Sequence, residues 1–204
     1  MTRPLDPSGA LDELAAVCDG LLDLSVDELR CATTTPEALP EPARSLLAHE
    51  QHMTATLNDF YRTRVGLHVL RVESSAEDYS RLILLVDPAT RRVVEFGIAR
   101  LDLSIMPAEV RREILARSRP LGEILTHHDV HRQVEPKWFY RFDAGSRVLP
   151  YFEYNGSCSA DPESPAARAV ARPPHRNQAW GRVGVIHVND RPAIRLLEVV
   201  TGLK

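Results

Sequence analysis

One stretch decides the fold of this chain: Ser80-Arg81-Leu82-Ile83-Leu84-Leu85-Val86, the turn Asp87-Pro88-Ala89-Thr90, and Val93-Val94-Glu95-Phe96-Gly97-Ile98-Ala99. Two apolar runs joined by a short proline-containing turn are typical of a β-hairpin. The same pattern returns near the end of the sequence, where residues 183–188 and 193–200 flank a turn at 189–192. Residues 66–73 alternate in polarity and predict another strand. The sequence therefore predicts a sheet built around two hairpins.

Helical segments surround these hairpins. Apolar residues recur at helical spacing in 9–30, residues 42–62 indicate one or two helices, and shorter helices are predicted at 108–118 and from 121 onward. Strand and helix units do not alternate along the chain. We therefore expect an α+β class, with an antiparallel β-sheet and helices packed on one face.

The expected organisation is a single globular domain with an N-terminal extension. Residues 1–40 are predicted to form a helix and a proline-rich connector, and residues 41–204 the main domain. Residues 134–153 are aromatic-rich and predicted to be extended. Residues 155–180 have no clear period, which predicts a long mobile loop.

Composition limits the possible partners and compartments. A net charge of -3, from 25 basic and 28 acidic residues, gives no electrostatic case for nucleic-acid binding. The sequence has neither an apolar run long enough for a bilayer nor a secretory apolar region. Its cysteines, Cys18, Cys31 and Cys158, lack paired spacing, which favours a reducing compartment. We expect a cytoplasmic monomer or homodimer without nucleic-acid or membrane partners.

Two charges fall within apolar strands. Arg81 directly precedes Leu82-Ile83-Leu84-Leu85-Val86, and Glu198 lies between Leu197 and Val199. A buried charge must pair, form hydrogen bonds or, for a carboxyl group, stay protonated. A structural ion pair between Arg81 and Glu198, or a Glu198 on an exposed edge, would satisfy this requirement. The alternative is that both charges face an internal pocket and bind a ligand there.

The histidines and the known cofactor motifs give a weaker signal. His127, His128 and His131 cluster around Asp129, and such a run at the end of a helix lies on a solvated turn or, alternatively, ligates a metal. His49-Glu50-Gln51-His52 is one residue too short for the HExxH spacing. The sequence contains no phosphate-binding glycine loop and no nucleophile elbow. We therefore predict neither a metal nor an organic cofactor.

Four motifs, taken in order, resemble those of the chorismate lyase (chorismate pyruvate-lyase) family. They are Leu46-Leu47 with His52-Met53-Thr54, Tyr79-Ser80-Arg81-Leu82-Ile83-Leu84-Leu85, Arg119-Pro120-Leu121-Gly122-Glu123-Ile124-Leu125, and Trp180-Gly181-Arg182 through Arg191-Pro192 to Leu197-Glu198. His52 stands where the family has serine. The resemblance covers roughly residues 44–134 and 180–200. It implies a chorismate lyase-like fold and the conversion of chorismate to 4-hydroxybenzoate and pyruvate.

The resemblance also implies roles for individual residues. Arg81 and the backbone amides of Met53 and Leu121 would hold the carboxylate of the aromatic product. Glu198 and the backbone of Gly97 would meet its 4-hydroxyl end, and a buried, protonated Glu198 would act as general acid. His52 would lie next to these groups.

Two other functions fit the same residues. The first is a non-catalytic module that binds an aromatic acid on this fold. The second is an enzyme for another aromatic acid, with His52 or His128 as an added acid–base group. Fold alone does not distinguish among them.

Overall fold

The computed structural model describes residues 7–22, 25–154 and 177–201 of the chain. Its helices are α1 (Pro7–Cys18), α2 (Val26–Leu29), α3 (Ala43–Leu47), α4 (Met53–Tyr61), α5 (Ala108–Ala116) and α6 (Leu121–His127). Short 3-10 helices cover Pro36–Ala38, Leu103–Ile105 and Leu149–Glu153. The strands are β1 (Cys31–Thr34), β2 (Gly66–Ser74), β3 (Asp78–Val86), β4 (Val93–Asp102), β5 (Arg132–Phe142), β6 (Ala179–Val188) and β7 (Arg191–Thr201). The predicted α+β class is confirmed.

The two predicted hairpins pair with each other at the centre of one sheet. The seven strands are ordered β1-β5-β6-β7-β4-β3-β2, and every neighbouring pair is antiparallel. Strands β4 and β7 join the hairpins, with Gly97 directly opposite Glu198. This pairing brings residues about 100 positions apart in the sequence into one row of the sheet.

Helices α3 to α6 lie on one face of the sheet, as expected. Every second residue of a strand faces these helices, because strand side chains alternate between the two faces of a sheet. The residues on this face form two apolar clusters with the helices. The α3–α4 cluster includes Leu46, Leu47, Met53, Leu57, Leu85 and Val200. The α5–α6 cluster includes Val110, Ile114, Ile124, Leu125, Ala99 and Ile194.

The first helix corrects the expectation that helices cover one face alone. In α1, Ala10 and Leu14 pack with Leu82 and Leu84, which point away from the side chain of Arg81. Arg100 of β4 fixes this helix by donating hydrogen bonds to the carbonyl groups of Val17, at 2.9 Å, and Asp19. An amphipathic helix buries its apolar stripe against whichever sheet face is uncovered, and sequence periodicity does not specify which.

Three other segments differ from, or fall outside, the sequence expectations. The predicted connector contains β1, which pairs with the far end of β5 as an edge strand. Of the loop predicted at 155–180, residues 155–176 lie outside the described residues, and Ala179–Trp180 begin β6. Residues 134–153 are extended only to Phe142, and a 3-10 helix follows. No helix in the described ranges is long and apolar enough to cross a bilayer.

Candidate functional site

A cavity lies between the centre of the sheet and the first residues of α4 and α6. Its volume is about 50 Å³. A single water needs about 10–15 Å³ of such space, so the cavity has room for about three to five waters. All six residues that the sequence analysis singled out line this cavity: Arg81, Glu198, Met53, Leu121, Gly97 and His52.

The floor of the cavity is formed by three adjacent strands. Glu198, Gly97 and Ile83 form one row across these strands. Arg81 and Ala99 form the next row on the same face, two residues further along. With strands about 4.8 Å apart and about 3.3 Å per residue, the Cα atoms of Arg81 and Glu198 are about 12 Å apart. The small residues Gly97 and Ala99 lie between them and leave space above the sheet. Both predicted charges therefore point to the same face, at opposite ends of the cavity.

Arg81 is buried without a partner for much of its guanidinium group. It is 1% exposed, and its Nε and Nη1 atoms have no hydrogen-bond acceptor among the described residues. Burial lowers the pKa of this guanidinium, and the nearby Tyr79 partly offsets the effect. An arginine stays charged in proteins, so these donors favour an anionic acceptor entering the cavity.

The ion-pair partner of Glu198 is Arg182, not Arg81. Its Oε2 accepts a hydrogen bond of 2.6 Å from Nε of Arg182, which lies directly across from it on β6. Arg81 and Glu198 therefore do not neutralise each other. The role of Glu198 as a general acid stays a prediction, and the structure gives its carboxyl group a buried arginine as partner.

Arg182 also holds the segment that leads into α4. It is fully buried, and its Nη1 donates to the carbonyl groups of Leu47 at 2.8 Å and His49 at 2.6 Å. Its Nη2 donates to the carbonyl group of Gln51 at 3.3 Å. One guanidinium thus connects an acidic residue of the cavity floor to the segment that positions His52 and Met53.

Glu95 is the second carboxyl group of the cavity. It is 3% exposed, its Oε2 has no hydrogen-bond partner among the described residues, and it lines the cavity beside Gly97. Its Oε1 would lie 3.1 Å from a Cβ atom placed on Gly97, so the missing side chain accommodates this carboxyl group. Burial, and then the charge of Glu198, raises the pKa of Glu95 well above its usual value, while Arg182 opposes this shift. The surroundings of Glu95 therefore favour the neutral form of its carboxyl group.

The opposite wall is formed by the starts of two helices. The backbone amides of Met53 and Thr54, in the first turn of α4, have no acceptor within the helix. A helical amide donates to a carbonyl group three or four residues before it, and no earlier turn of this helix exists. Gly122 packs against His52 and Thr54 so closely that an added Cβ would lie 3.2 Å from Cβ of His52. This contact sets how near α6, with Leu121 at its first position, approaches α4.

His52 is fixed rather than free to exchange protons. Its Nε2 accepts a hydrogen bond from Nε of Arg132, whose other nitrogens donate to the carbonyl group of Val130 at 2.7 Å and to Oγ1 of Thr126 at 2.8 Å. Burial, followed by the charges of Arg132 and Arg182, lowers the pKa of His52 to about 4. A neutral imidazole with its acceptor nitrogen already engaged suits a positioning role and does not support the predicted acid–base role.

The histidine cluster at the end of α6 lies away from the cavity. His128 forms a hydrogen bond of 2.9 Å with Glu113, and the ring of His127 packs edge-on against the ring of His128. His131 is exposed near Asp190. Ligand atoms of Glu113, His127 and His128 lie within 4.8 Å of one another. Glu113 is also paired with Arg119 at 2.9 Å, so its charge is already compensated. None of these residues lines the cavity, which removes His128 from the candidate acid–base groups of this site.

Two residues of the site were not assigned from the sequence. Glu95 interrupts the run Val93-Val94-Glu95-Phe96, and Arg182 precedes the run Val183-Gly184-Val185. The signal was the same as for Arg81 and Glu198, a charge inside an apolar strand. Applying that rule to all four central strands would have identified both residues.

Comparison with known proteins adds little to this description. No protein-family model and no curated protein matches the chain. Among solved structures, it is similar to the C-terminal domain of Yurk from Bacillus subtilis subsp. subtilis str. 168, with 12% identity and a TM-score of 0.36. That likeness covers 67% of this chain and 87% of the other. It is too distant to carry an argument about function, so the site is interpreted from its own residues.

Proposed function

We propose that the protein is a lyase that binds chorismate and converts it to 4-hydroxybenzoate and pyruvate. The observation that carries this proposal is the guanidinium of Arg81, which is buried and unpaired at Nε and Nη1, in a cavity whose far end holds two carboxyl groups. The motifs on which the resemblance to chorismate lyases rests also converge here, since Met53, Arg81, Leu121 and Glu198 line the same cavity.

A ligand carboxylate supplies what Arg81 lacks. A buried cation without a counter-ion is unfavourable by several kcal/mol, even after the protein relaxes around it. A carboxylate can accept parallel hydrogen bonds from two guanidinium nitrogens, which makes the contact both strong and directional. The free amides at the start of α4 lie on the same cavity wall and favour the same negative charge.

The rest of the cavity suits a six-membered ring. Ile83, Leu85 and Leu196 present apolar side chains from the sheet, and Leu121 faces them from α6. A planar ring held between these walls would place its carboxylate at Arg81 and its opposite oxygen near Glu95 and Glu198. The Cα atoms of Arg81 and Glu198, about 12 Å apart, mark the two ends of this arrangement.

The reaction makes modest demands on the protein. The C–O bond to the enolpyruvyl group breaks, one ring proton is lost, and aromatisation of the ring provides the driving force. The site must hold the reactive conformer and stabilise charge on the departing oxygen. Arg81 binds the carboxylate of the ring. Glu95 and Glu198 stabilise the departing oxygen and transfer the proton. No step in this scheme requires a metal or an organic cofactor.

Incubation with chorismate tests the proposal directly. Pyruvate release and 4-hydroxybenzoate absorbance are followed for the wild type, for Arg81→Met and for the control Arg195→Met, an exposed arginine on β7 outside the cavity lining. We expect turnover in the wild type and the control, and loss of at least 100-fold in Arg81→Met. If the wild-type protein binds 4-hydroxybenzoate but releases no pyruvate, the binding-module alternative is established. If it neither binds 4-hydroxybenzoate nor releases pyruvate, the proposal is refuted.

A further inference from the structure

We propose that Glu95 is the proton donor of this cavity, and that Glu95 and Glu198 together hold a single proton. The inference rests on the proposed function for its reaction, but the location of the proton is a property of the protein without substrate. Glu95 was assigned no role from the sequence or from the family resemblance.

Charge balance at the acidic end is the first reason. Two carboxyl groups share the cavity floor, and Arg182 contacts one of them, Glu198, at 2.6 Å. The remaining bonds of Arg182 go to the carbonyl groups of Leu47, His49 and Gln51, which leaves Glu95 without an ion pair among the described residues. Two like charges side by side in a buried site are strongly disfavoured, so one carboxyl group keeps its proton.

The position of Glu95 is the second reason. Its Oε1 lies over Gly97, and Gly97 is directly opposite Glu198, so the two acids reach the same part of the cavity from adjacent strands. Glu198 is anchored by Arg182, whereas Oε2 of Glu95 has no partner within residues 7–22, 25–154 and 177–201. A neutral carboxyl group with an uncommitted oxygen is suited to donate a hydrogen bond, and then a proton, to a ligand oxygen.

The proton balance of the reaction follows from this arrangement. Glu95 gives its proton to the enolpyruvate oxygen as the C–O bond breaks, and the bonding electrons leave with that oxygen. The ring C–H bond then releases its proton to the carboxylate pair, and its electrons complete the aromatic ring. Enolpyruvate tautomerises to pyruvate in solution. The pair begins and ends the cycle with one proton and one negative charge, which Arg182 compensates. Between the two transfers both carboxyl groups are ionised, and the second negative charge faces the electron-poor ring that gives up the proton.

Infrared spectroscopy of the protein without substrate tests the location of the proton. We expect the carbonyl stretch of a neutral carboxylic acid at pH 7 in the wild type, and its loss in Glu95→Gln. The stretch should persist in Glu198→Gln, because burial is the largest cause of the raised pKa of Glu95. Absence of the band in the wild type, its survival in Glu95→Gln, or its loss in Glu198→Gln would each overturn the assignment, whatever the protein does with chorismate.

Kinetics test the role of that proton. We expect Glu95→Gln to lower kcat for pyruvate release at least 100-fold, with the affinity for benzoate, which is held at Arg81, changed less than threefold. The wild-type rate should fall at high pH as the pair loses its proton. The charged and titratable groups facing the pair are Arg182 on β6 and His49 before α4, and His52 lines the same cavity. Burial is the largest cause that lowers the pKa of both histidines, to about 4 for His52, so neither gains a proton as the pH rises. A kcat within threefold of the wild type in Glu95→Gln would eliminate Glu95 as the donor.

Discussion

Arg182 donates a 2.6 Å hydrogen bond from Nε to Oε2 of Glu198, its direct neighbour across the β6–β7 hairpin. Both residues are buried, and the arginine binds three backbone carbonyl groups before α4 in addition. Arg81, three strands away from Arg182, is equally buried but lacks such partners at Nε and Nη1. The two arginines therefore differ: one is fully used by the fold, and the other keeps two free donors, which we propose bind a ligand carboxylate.

Replacement of Arg182 should destabilise the protein strongly. Arg182→Met leaves Glu198 buried without its counter-ion and deprives the carbonyl groups of Leu47 and His49 of their donor. Breaking a buried pair from one side costs about 3–5 kcal/mol, and we expect a loss of this size in the free energy of unfolding measured by urea denaturation. Arg195→Met on the neighbouring strand is the exposed control and should change stability by less than about 0.5 kcal/mol. Equal stabilities of the two variants would contradict the structural role of Arg182.

Replacement of Arg81 should have the opposite effect. Arg81→Met keeps most of the side-chain volume and removes a buried charge that lacks partners at two of its nitrogens. We expect the free energy of unfolding to rise by about 1–4 kcal/mol, as found when buried charges are replaced by apolar groups. Binding of benzoate or 4-hydroxybenzoate, measured by calorimetry, should weaken at least 100-fold in the same variant. A less stable Arg81→Met protein would show that Arg81 is structural.

The sequence predicts the different surroundings of Arg81 and Arg182 only in part. Arg81 and Glu198 stand out because each is a charge within or beside an apolar strand, and alternation along β3 and β7 places both on the helix-covered face. The partner of Glu198 could not be predicted from periodicity, because it depends on which residue of β6 lies opposite it, and hairpin register is set by the turn. For the same reason the sequence predicted a protonated Glu198, whereas we propose Glu95 as the proton donor.

The helices show a similar limit. The start of α6 at Leu121, directly after a proline, was predicted from the local sequence, whereas the start of α4 at Met53 was not, and both starts line the cavity. The face chosen by α1 depends instead on tertiary contacts, including the hydrogen bond from Arg100 to the carbonyl group of Val17. Local chemistry thus predicts where elements begin, and long-range pairing decides what they cover.

Gly97 should be required for ligand binding more than for folding. An added Cβ would lie 3.1 Å from Cγ1 of Ile83 and from Oε1 of Glu95, inside the cavity. Overpacking of this kind costs about 1–3 kcal/mol, so we expect Gly97→Ala to weaken binding of 4-hydroxybenzoate by about tenfold or more. Gly66→Ala on β2 is the matched strand control, since its Cβ would meet the carbonyl oxygen of Val86 only at 3.8 Å. Unchanged affinity in Gly97→Ala would place the ligand elsewhere.

Glu95 should make the protein less stable as the pH rises. Its pKa is raised by burial in the folded state, so the folded protein retains a proton that the unfolded chain releases above its ordinary value of 4.5. Stability from this group is complete below that pH and is lost as the pH rises toward the raised pKa, by up to about 1.4 kcal/mol per pH unit. The difference in unfolding free energy between Glu95→Gln and the wild type should therefore grow in favour of the variant from pH 5 to pH 8. A difference that does not vary with pH would mean that Glu95 is ionised in the folded protein.

His52 should produce the opposite trend on the acid side. Its pKa is lowered from 6.5 to about 4, because it is buried beside Arg132 and Arg182, so the unfolded chain binds a proton that the folded protein excludes. Stability from this group is complete above about pH 6.5 and is lost as the pH falls toward 4, by at most about 3 kcal/mol in total. His52→Gln keeps an acceptor for Arg132 but cannot titrate, and its stability should decline less than that of the wild type between pH 6.5 and 4.5. His131→Gln, whose side chain is 76% exposed, is the control and should follow the wild type. If His52→Gln also declines in parallel with the wild type, the acid sensitivity originates elsewhere and the contact between His52 and Arg132 does not hold the imidazole neutral.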